Sequence, residues 1–345
     1  MLFRIGEILM KSKKQKGKKV LLAIICCALC VCIGFSCISW FVYDRSIMAS
    51  LAEIYMIMVD RDCIYEQGAE YVHNLRVRAK ENLEDYEIPS SVTMDVDVYD
   101  THEHGMQVFY VNEETFDDTL IVYIPGGGYL NNPLKYHWKL INNITQQTNC
   151  PVIVPIYLKV PNYTCDESYE KMIEFYKDLA TRDGIEHIIF MGDSSGGGMS
   201  LALAQILRDD YPELIQPEDL FLIVPWLDVT METEGIEEIA EIDPMLGLYG
   251  CKDIGKLWAG DKDRHDPMVS PIYGNLENLG RITLFTGTKD MLYPDVDKLD
   301  KLLTEQGIEH TYVVKNNLDH PYPLFPTPEA KEAQQLMIDI INESY

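Results

Sequence analysis

Positive charge is scarce over most of this chain. Of its 29 lysines and arginines, eight fall in the first 45 residues, so residues 46–345 carry 21 against 53 acids, a balance of −32. A surface that acidic does not follow a phosphate backbone, so nucleic acid is excluded as a partner. Cysteine is sparse as well after residue 37. Cys63, Cys150, Cys165 and Cys251 are scattered, without the density of a disulfide framework or the paired spacing of a zinc site. A Cys150–Cys165 bridge is the one pairing left open. Internal repeats are absent, and nothing in the pattern calls for a metal or an organic cofactor. With 47% apolar and 24% charged residues, the 345-residue chain reads as globular, long enough for one large domain or two ordinary ones.

The charge that is present at the start has a different meaning. Lys11, Lys13, Lys14, Lys16, Lys18 and Lys19 precede Val20–Tyr43, which contains no charged residue and holds the other five cysteines (Cys26, Cys27, Cys30, Cys32, Cys37). As a helix this run would reach roughly 36 Å, enough to cross a bilayer with some tilt. Trp40 and Tyr43 lie at its far end, where interfacial aromatics belong. The expectation is therefore a basic cytoplasmic tail (1–19), a transmembrane anchor (20–43), and the rest of the chain outside the cytoplasm. The alternative is a secreted protein released by signal cleavage.

Past that run the rhythm changes twice. Residues 44–90 read as a helical linker or cap segment, with Ile47, Leu51, Ile54, Tyr55 and Met58 at helical spacing and Pro89 closing it. From there short apolar runs alternate with helical patterns. Strands are expected over Val92–Val98, Met106–Val111, Leu120–Ile124, Val152–Ile156, Ile188–Met191, Leu220–Val224, Ile282–Phe285 and His310–Val314. Helices are expected over Leu134–Gln147, Ser168–Ala180, Ser195–Arg208, Val296–Glu305 and Pro328–Asn342. That alternation predicts an α/β fold over 91–345, with a mostly parallel central sheet covered by helices on both faces. The acidic stretch Asp228–Asp266 interrupts it as a cap insertion would.

Four short motifs fall at the ends of these strands. Pro125-Gly126-Gly127-Gly128-Tyr129 follows the third. Gly192-Asp193-Ser194-Ser195-Gly196 joins the fifth to a helix, the strand–turn–helix setting of a nucleophile elbow. Asp290 follows the seventh strand, and His320 follows the eighth. In α/β-hydrolases a triad runs Ser, Asp, His in chain order, with the oxyanion loop upstream. Ser194 is thus the candidate nucleophile, His320 the general base and Asp290 its orienting acid. Of eight histidines, His320 alone lies in the loop after the last core strand. Asp295 competes with Asp290 but is better placed to open a helix, and Asp193 is expected to support the elbow. Backbone N–H groups of Gly127, Gly128 and Ser195 are the oxyanion-donor candidates. Tyr129, Leu130, Trp226 and Met245 are candidate pocket walls.

Taken together, these motifs and Val154-Pro-Ile-Tyr157, Pro225-Trp-Leu-Asp228, Asp243-Pro-Met-Leu246 and Val269-Ser-Pro-Ile-Tyr273 resemble the hormone-sensitive-lipase-like group of α/β-hydrolases, which includes carboxylesterases and acetyl esterases. The resemblance covers roughly residues 90–345. It implies a hydrolase core under a helical cap, a small-molecule ester substrate with a short acyl group, and an acyl-enzyme on Ser194. Amide or formamide hydrolysis by the same triad, or an impaired ligand-binding homologue, are the alternatives. Two departures stand out. Pro125 replaces the histidine usual before the three glycines. Around the base, Asp319 is expected to raise the His320 pKa and Pro321 to alter its placement.

Overall fold

A computed structural model describes residues 30–58, 69–115 and 118–345. The first hairpin shows how local chemistry sets register. β1 (Val98–Glu103) and β2 (Met106–Val111) meet at His104 and Gly105, with φ of 51° and 82°. Two left-handed residues make the turn whose twist matches a hairpin, so Glu103 faces Met106. The expected strand Val92–Val98 is therefore displaced toward the turn. Val92, Met94 and Val96 alternate as a strand would, but they pack partly buried against the core without a ladder partner.

The remaining strands are β3 (Thr119–Ile124), β4 (Val152–Ile156), β5 (His187–Asp193), β6 (Asp219–Ile223), β7 (Arg281–Gly287) and β8 (His310–Lys315). They form one eight-stranded sheet in the order β1-β2-β4-β3-β5-β6-β7-β8. β2 pairs antiparallel with β1 and β4, and every other pairing is parallel. β2, β3, β4 and β6 are buried along their whole length, as strands covered on both faces must be. From β3 the chain winds one way to β4, whereas β5 lies on the other side of β3. Such a reversal opens a crevice beyond the carboxyl ends of the strands.

Helices Lys135–Thr148, Cys165–Leu179, Ser195–Asp210, Tyr293–Glu305 and Pro328–Ser344 cover the sheet. The second begins three residues before its expected start because Thr164 and Glu167 form a capping box, with Thr164 N–H donating to Glu167 Oε2 at 2.7 Å. Cys150 and Cys165 are both buried and free, so the bridge between them does not form.

Helices Ile47–Met58, Ala69–Glu81 and Leu248–Ala259 contribute to the cavity beyond the carboxyl ends, and the short helix Ile236–Ala240 precedes the last of them in the chain. The first two come from the expected N-terminal cap segment and the last two from the expected insertion. The transmembrane expectation is corrected. Residues 30–41 are helical, residues 1–29 lie outside the described residues, and no described helix is long and apolar enough to cross a membrane. The uncharged run had supplied length and hydropathy, but only its C-terminal part belongs to the described residues, and that part is too short a helix. The single-pass topology and the extracytoplasmic placement built on it are withdrawn.

Candidate active site

Ser194 sits between β5 and helix Ser195–Asp210 with φ 53° and ψ −124°. A non-glycine residue there carries strain of order 1–3 kcal/mol, tolerated only where the surroundings enforce it. They do so with three backbone bonds: Ser194 N–H donates to Ile223 O at 2.9 Å, and Ser194 O accepts from Trp226 N at 2.8 Å and Gly198 N at 3.0 Å. The flanking glycines are sterically required. A Cβ at Gly192 would lie 2.5 Å from Gly196 O, and one at Gly196 would lie 2.0 Å from Ile124 O. The elbow is thereby pressed against the end of β3, which carries the glycine loop.

In that loop Gly127 and Gly128 have φ of 146° and 62°, a backbone path that closes with Leu130 and Asn131 N–H groups on Gly127 O. Among the described residues, the N–H groups of Gly127, Gly128 and Ser195 donate to no protein acceptor. Gly127 and Gly128 border the central cavity, and Ser195 opens the helix beside Ser194.

Asp193 ties the elbow to this loop. Its carboxylate is buried and accepts from Tyr123 Oη (2.6 Å), Gly126 N (3.0 Å) and His137 Nε2 (3.2 Å). Burial alone would raise its pKa; the His137 imidazole and the Tyr123 and Gly126 donors outweigh it and hold the carboxyl below its ordinary value. His137 escaped the sequence reading. Its signal was present: His137, Trp138, Ile141, Ile144 and Thr145 form the buried stripe of helix Lys135–Thr148, and a histidine on such a stripe needs a partner. An imidazole on this helix thus supports the glycine loop from outside it.

Asp290 and His320 meet after β7 and β8. His320 Nδ1 is 2.7 Å from Asp290 Oδ2, with the two side chains 4% and 0% exposed. The remaining oxygen, Asp290 Oδ1, accepts from Leu292 N at 2.9 Å. Burial favours the neutral imidazole, but Asp290, with Asp243 and Asp193, more than offsets it, so His320 titrates above the ordinary histidine value. Asp319 is absent from that balance. Its carboxylate faces Arg45 and Lys289, and it titrates at about 7 because burial outweighs those two cations. The expectation that Asp319 raises the His320 pKa is replaced by this geometry. Pro321 opens the short helix Tyr322–Leu324, and the bond between His320 and Asp290 forms with it in place.

Asp295 lies in the first turn of helix Tyr293–Glu305, as a helix-opening residue does, away from the His320 contact. Asp243 entered the sequence reading only as part of the Asp243–Leu246 motif, without a role, yet it joins the insertion to this site. It accepts from Met245 N and Leu246 N on one oxygen and from Met291 N on the other, and burial beside Asp290 raises it to about 6.

Ser194, His320, Gly127 and Gly128 border one cavity of about 800 Å³. Among the described residues Ser194 Oγ makes no hydrogen bond; such contacts often tighten only with substrate present. Of the candidate pocket walls, Trp226 and Met245 line the cavity. Tyr129 and Leu130 do not. Tyr129 is fully buried, stacked on Trp258 with centroids 4.0 Å apart and against Trp226 at 5.4 Å, so it supports a wall from behind. The wall that sequence missed is helix Ile47–Met58. Met48, Leu51, Ala52, Tyr55 and Met56 face the cavity at i, i+3, i+4, i+7 and i+8.

A doubly wound sheet with a strained serine elbow, a glycine loop and a buried Asp–His pair at its crevice defines the class of α/β-hydrolases. Residues 121–324 match the α/β-hydrolase fold family, and the chain belongs to that family. An esterase of Acinetobacter venetianus is 27% identical over 219 residues, 62% of this chain and 71% of that protein. A triacylglycerol lipase of Mycobacterium tuberculosis is 28% identical over 217 residues, 63% of this chain and 44% of the lipase. The crystal structure of an esterase from the bacterial hormone-sensitive lipase family shares the fold, with TM-score 0.72, 22% identity and coverage of 86% of this chain and 97% of that one. The chain is a carboxylic ester hydrolase of the α/β-hydrolase fold.

Proposed function

We propose that this protein hydrolyses esters of short acyl groups through an acyl-enzyme on Ser194. The observation that carries the reading is the convergence of the strained Ser194 elbow and the buried Asp290–His320 pair on one largely apolar cavity. His320 removes the Ser194 proton as Oγ attacks the ester carbonyl, and Asp290 holds the imidazole by Nδ1 and stabilises the imidazolium. The N–H groups of Gly127, Gly128 and Ser195 take the oxyanion. Each such donor is worth on the order of 3 kcal/mol of barrier. His320 returns its proton to the leaving alcohol, then activates a water that releases the acid. The apolar side chains of helix Ile47–Met58 bind the organic part of the substrate. A cavity of about 800 Å³ exceeds what an acetyl group fills, and its remainder receives the alcohol.

The test is hydrolysis of p-nitrophenyl esters from acetate to dodecanoate by the full chain beside Ser194→Ala. Turnover highest at the short end and absent from the variant is expected. A folded wild-type protein that turns over none of them, or a variant that keeps the wild-type rate, overturns the reading.

A further inference from the structure

The residues next to the Asp290–His320 pair in sequence, Lys289 and Asp319, belong to a buried ionic cluster whose other members come from the far end of the chain. Arg45 is 5% exposed and forms an ion pair with Glu53, which also pairs with Lys289. Arg45 Nη1 lies 4.0 Å from Asp319 Oδ2 and donates to Asn317 O at 2.6 Å, and its Nε donates to Ser50 Oγ at 3.1 Å. Asn317 in turn binds both sides: its N–H donates to Thr288 Oγ1 at 2.9 Å and its Nδ2 to Tyr43 O at 2.9 Å. Lys289 N–H donates to Leu318 O at 3.2 Å. The loops bearing Asp290 and His320 are thus stitched to each other and to the segment from Tyr43 to Glu53. Ala49, Ser50 and Glu53 form the buried face of helix Ile47–Met58, whose other face lines the cavity.

We propose that Arg45, with Glu53, is a positioning residue for His320. A planar guanidinium suits the task, because it spans a carboxylate, a hydroxyl and a carbonyl at fixed angles while supplying the charge that Asp319 needs in a buried place. Its action is geometric. The carboxylates that raise the His320 pKa are Asp290, Asp243 and Asp193, none of them the partner of Arg45. The same helix therefore shapes the pocket and sets the reach of the base, so the segment before the sheet is coupled to proton transfer. This inference rests on the role given to His320 above.

Arg45→Met in the full chain tests it, with rates expressed per site titrated by a fluorophosphonate. Arg281→Met serves as the control, since Arg281 binds Asp219 through two nitrogens at the opposite end of the strands. Displacing the base by about 1 Å lowers kcat by up to about 100-fold, with KM within about twofold. Labelling of Ser194 should slow in parallel, the acid limb of the pH profile should stay where it is, and Arg45→Lys should recover part of the loss. Arg281→Met should lower the melting temperature and leave kcat per site unchanged. A purely structural Arg45 would lower the melting temperature and leave kcat per site intact, overturning the inference. A rise in KM at constant kcat would place Arg45 in the pocket and overturn it too. If Arg45→Met does not fold, the isosteric Glu53→Gln makes the same measurement. Absence of turnover in the wild-type chain would instead refute the esterase mechanism on which the inference stands.

Discussion

Asp193→Asn is the substitution with the sharpest expected consequence outside the triad. The Asp193 carboxylate accepts three hydrogen bonds in a buried site. Leu134 N–H donates to His137 Nδ1 at 2.8 Å, so the network assigns the imidazole proton to Nε2, which donates to Asp193. An asparagine keeps an oxygen for Tyr123 and Gly126 but turns its amide N–H₂ toward that Nε2–H. Switching the tautomer lets Nδ1–H turn to Leu134 O at 3.2 Å but strips the Leu134 N–H of its acceptor. The change thus removes a bond to a charged acceptor, worth about 1.5–3 kcal/mol, and leaves a buried donor unsatisfied at about 1–3 kcal/mol. Together these come to about 4 kcal/mol, or roughly 10 °C in melting temperature for a domain of this size. Gly126 precedes the proposed oxyanion donors and is bonded to this same side chain, so an amide pushed off His137 shifts it and misplaces them. Losing one donor costs about 10²–10³ in kcat. The assay is thermal unfolding beside p-nitrophenyl acetate turnover, for Asp193→Asn, His137→Leu and the double variant. The two single effects should be less than additive, because both remove the same bond. A single variant within about 1 °C and about twofold of wild type would refute the reasoning.

Two further outcomes follow from buried titrating groups. His320 must be neutral to accept a proton; burial lowers its pKa, but Asp290 with Asp243 and Asp193 more than offsets this and raises it above the ordinary value near 6.5. The acid limb of kcat/KM should therefore lie above that value, and Asp290→Asn should move it down while lowering the rate; a limb below pH 6 in the wild type contradicts the cited balance. Asp295 is raised to about 7, chiefly by burial. A carboxyl whose folded pKa exceeds its unfolded value near 3.9 costs stability as pH rises between the two, and the cost is complete above the folded pKa. Asp295→Asn should raise the melting temperature at pH 8 by several degrees, with the gain shrinking toward pH 4, whereas equal melting at pH 8 would show the burial to be compensated.

Much of the candidate site's layout was legible because it depends on local chemistry. Gly192 and Gly196 are dictated by backbone atoms 2.5 and 2.0 Å from where a Cβ would stand, and such demands leave a mark in sequence. The alternation of strands and helices also followed from composition, since β3 and β6 are buried on both faces and read as unbroken apolar runs. What escaped depends on packing between distant segments. Nothing near His137 says that it donates to a carboxylate 56 residues away, and Arg45 reads as a surface charge after an apolar run until Asn317 and Glu53 close around it. Tyr129 failed for the opposite reason: it neighbours the glycine loop in sequence, but its φ of 56° turns the ring behind the wall, onto Trp258. The apolar run before Tyr43 had the hydropathy of a spanning segment, but hydropathy does not set helix length, and the described helix over residues 30–41 is too short to cross a membrane.

The support of the glycine loop from helix Lys135–Thr148 changes what position 125 has to be. In this chain the elbow's acid takes its imidazole from His137, and position 125 has only to meet the backbone shape of the turn into the glycines, which proline satisfies. Searches written as a string of letters around the three glycines would discard such chains. A search for a buried imidazole within reach of the acid that precedes the elbow serine would keep them.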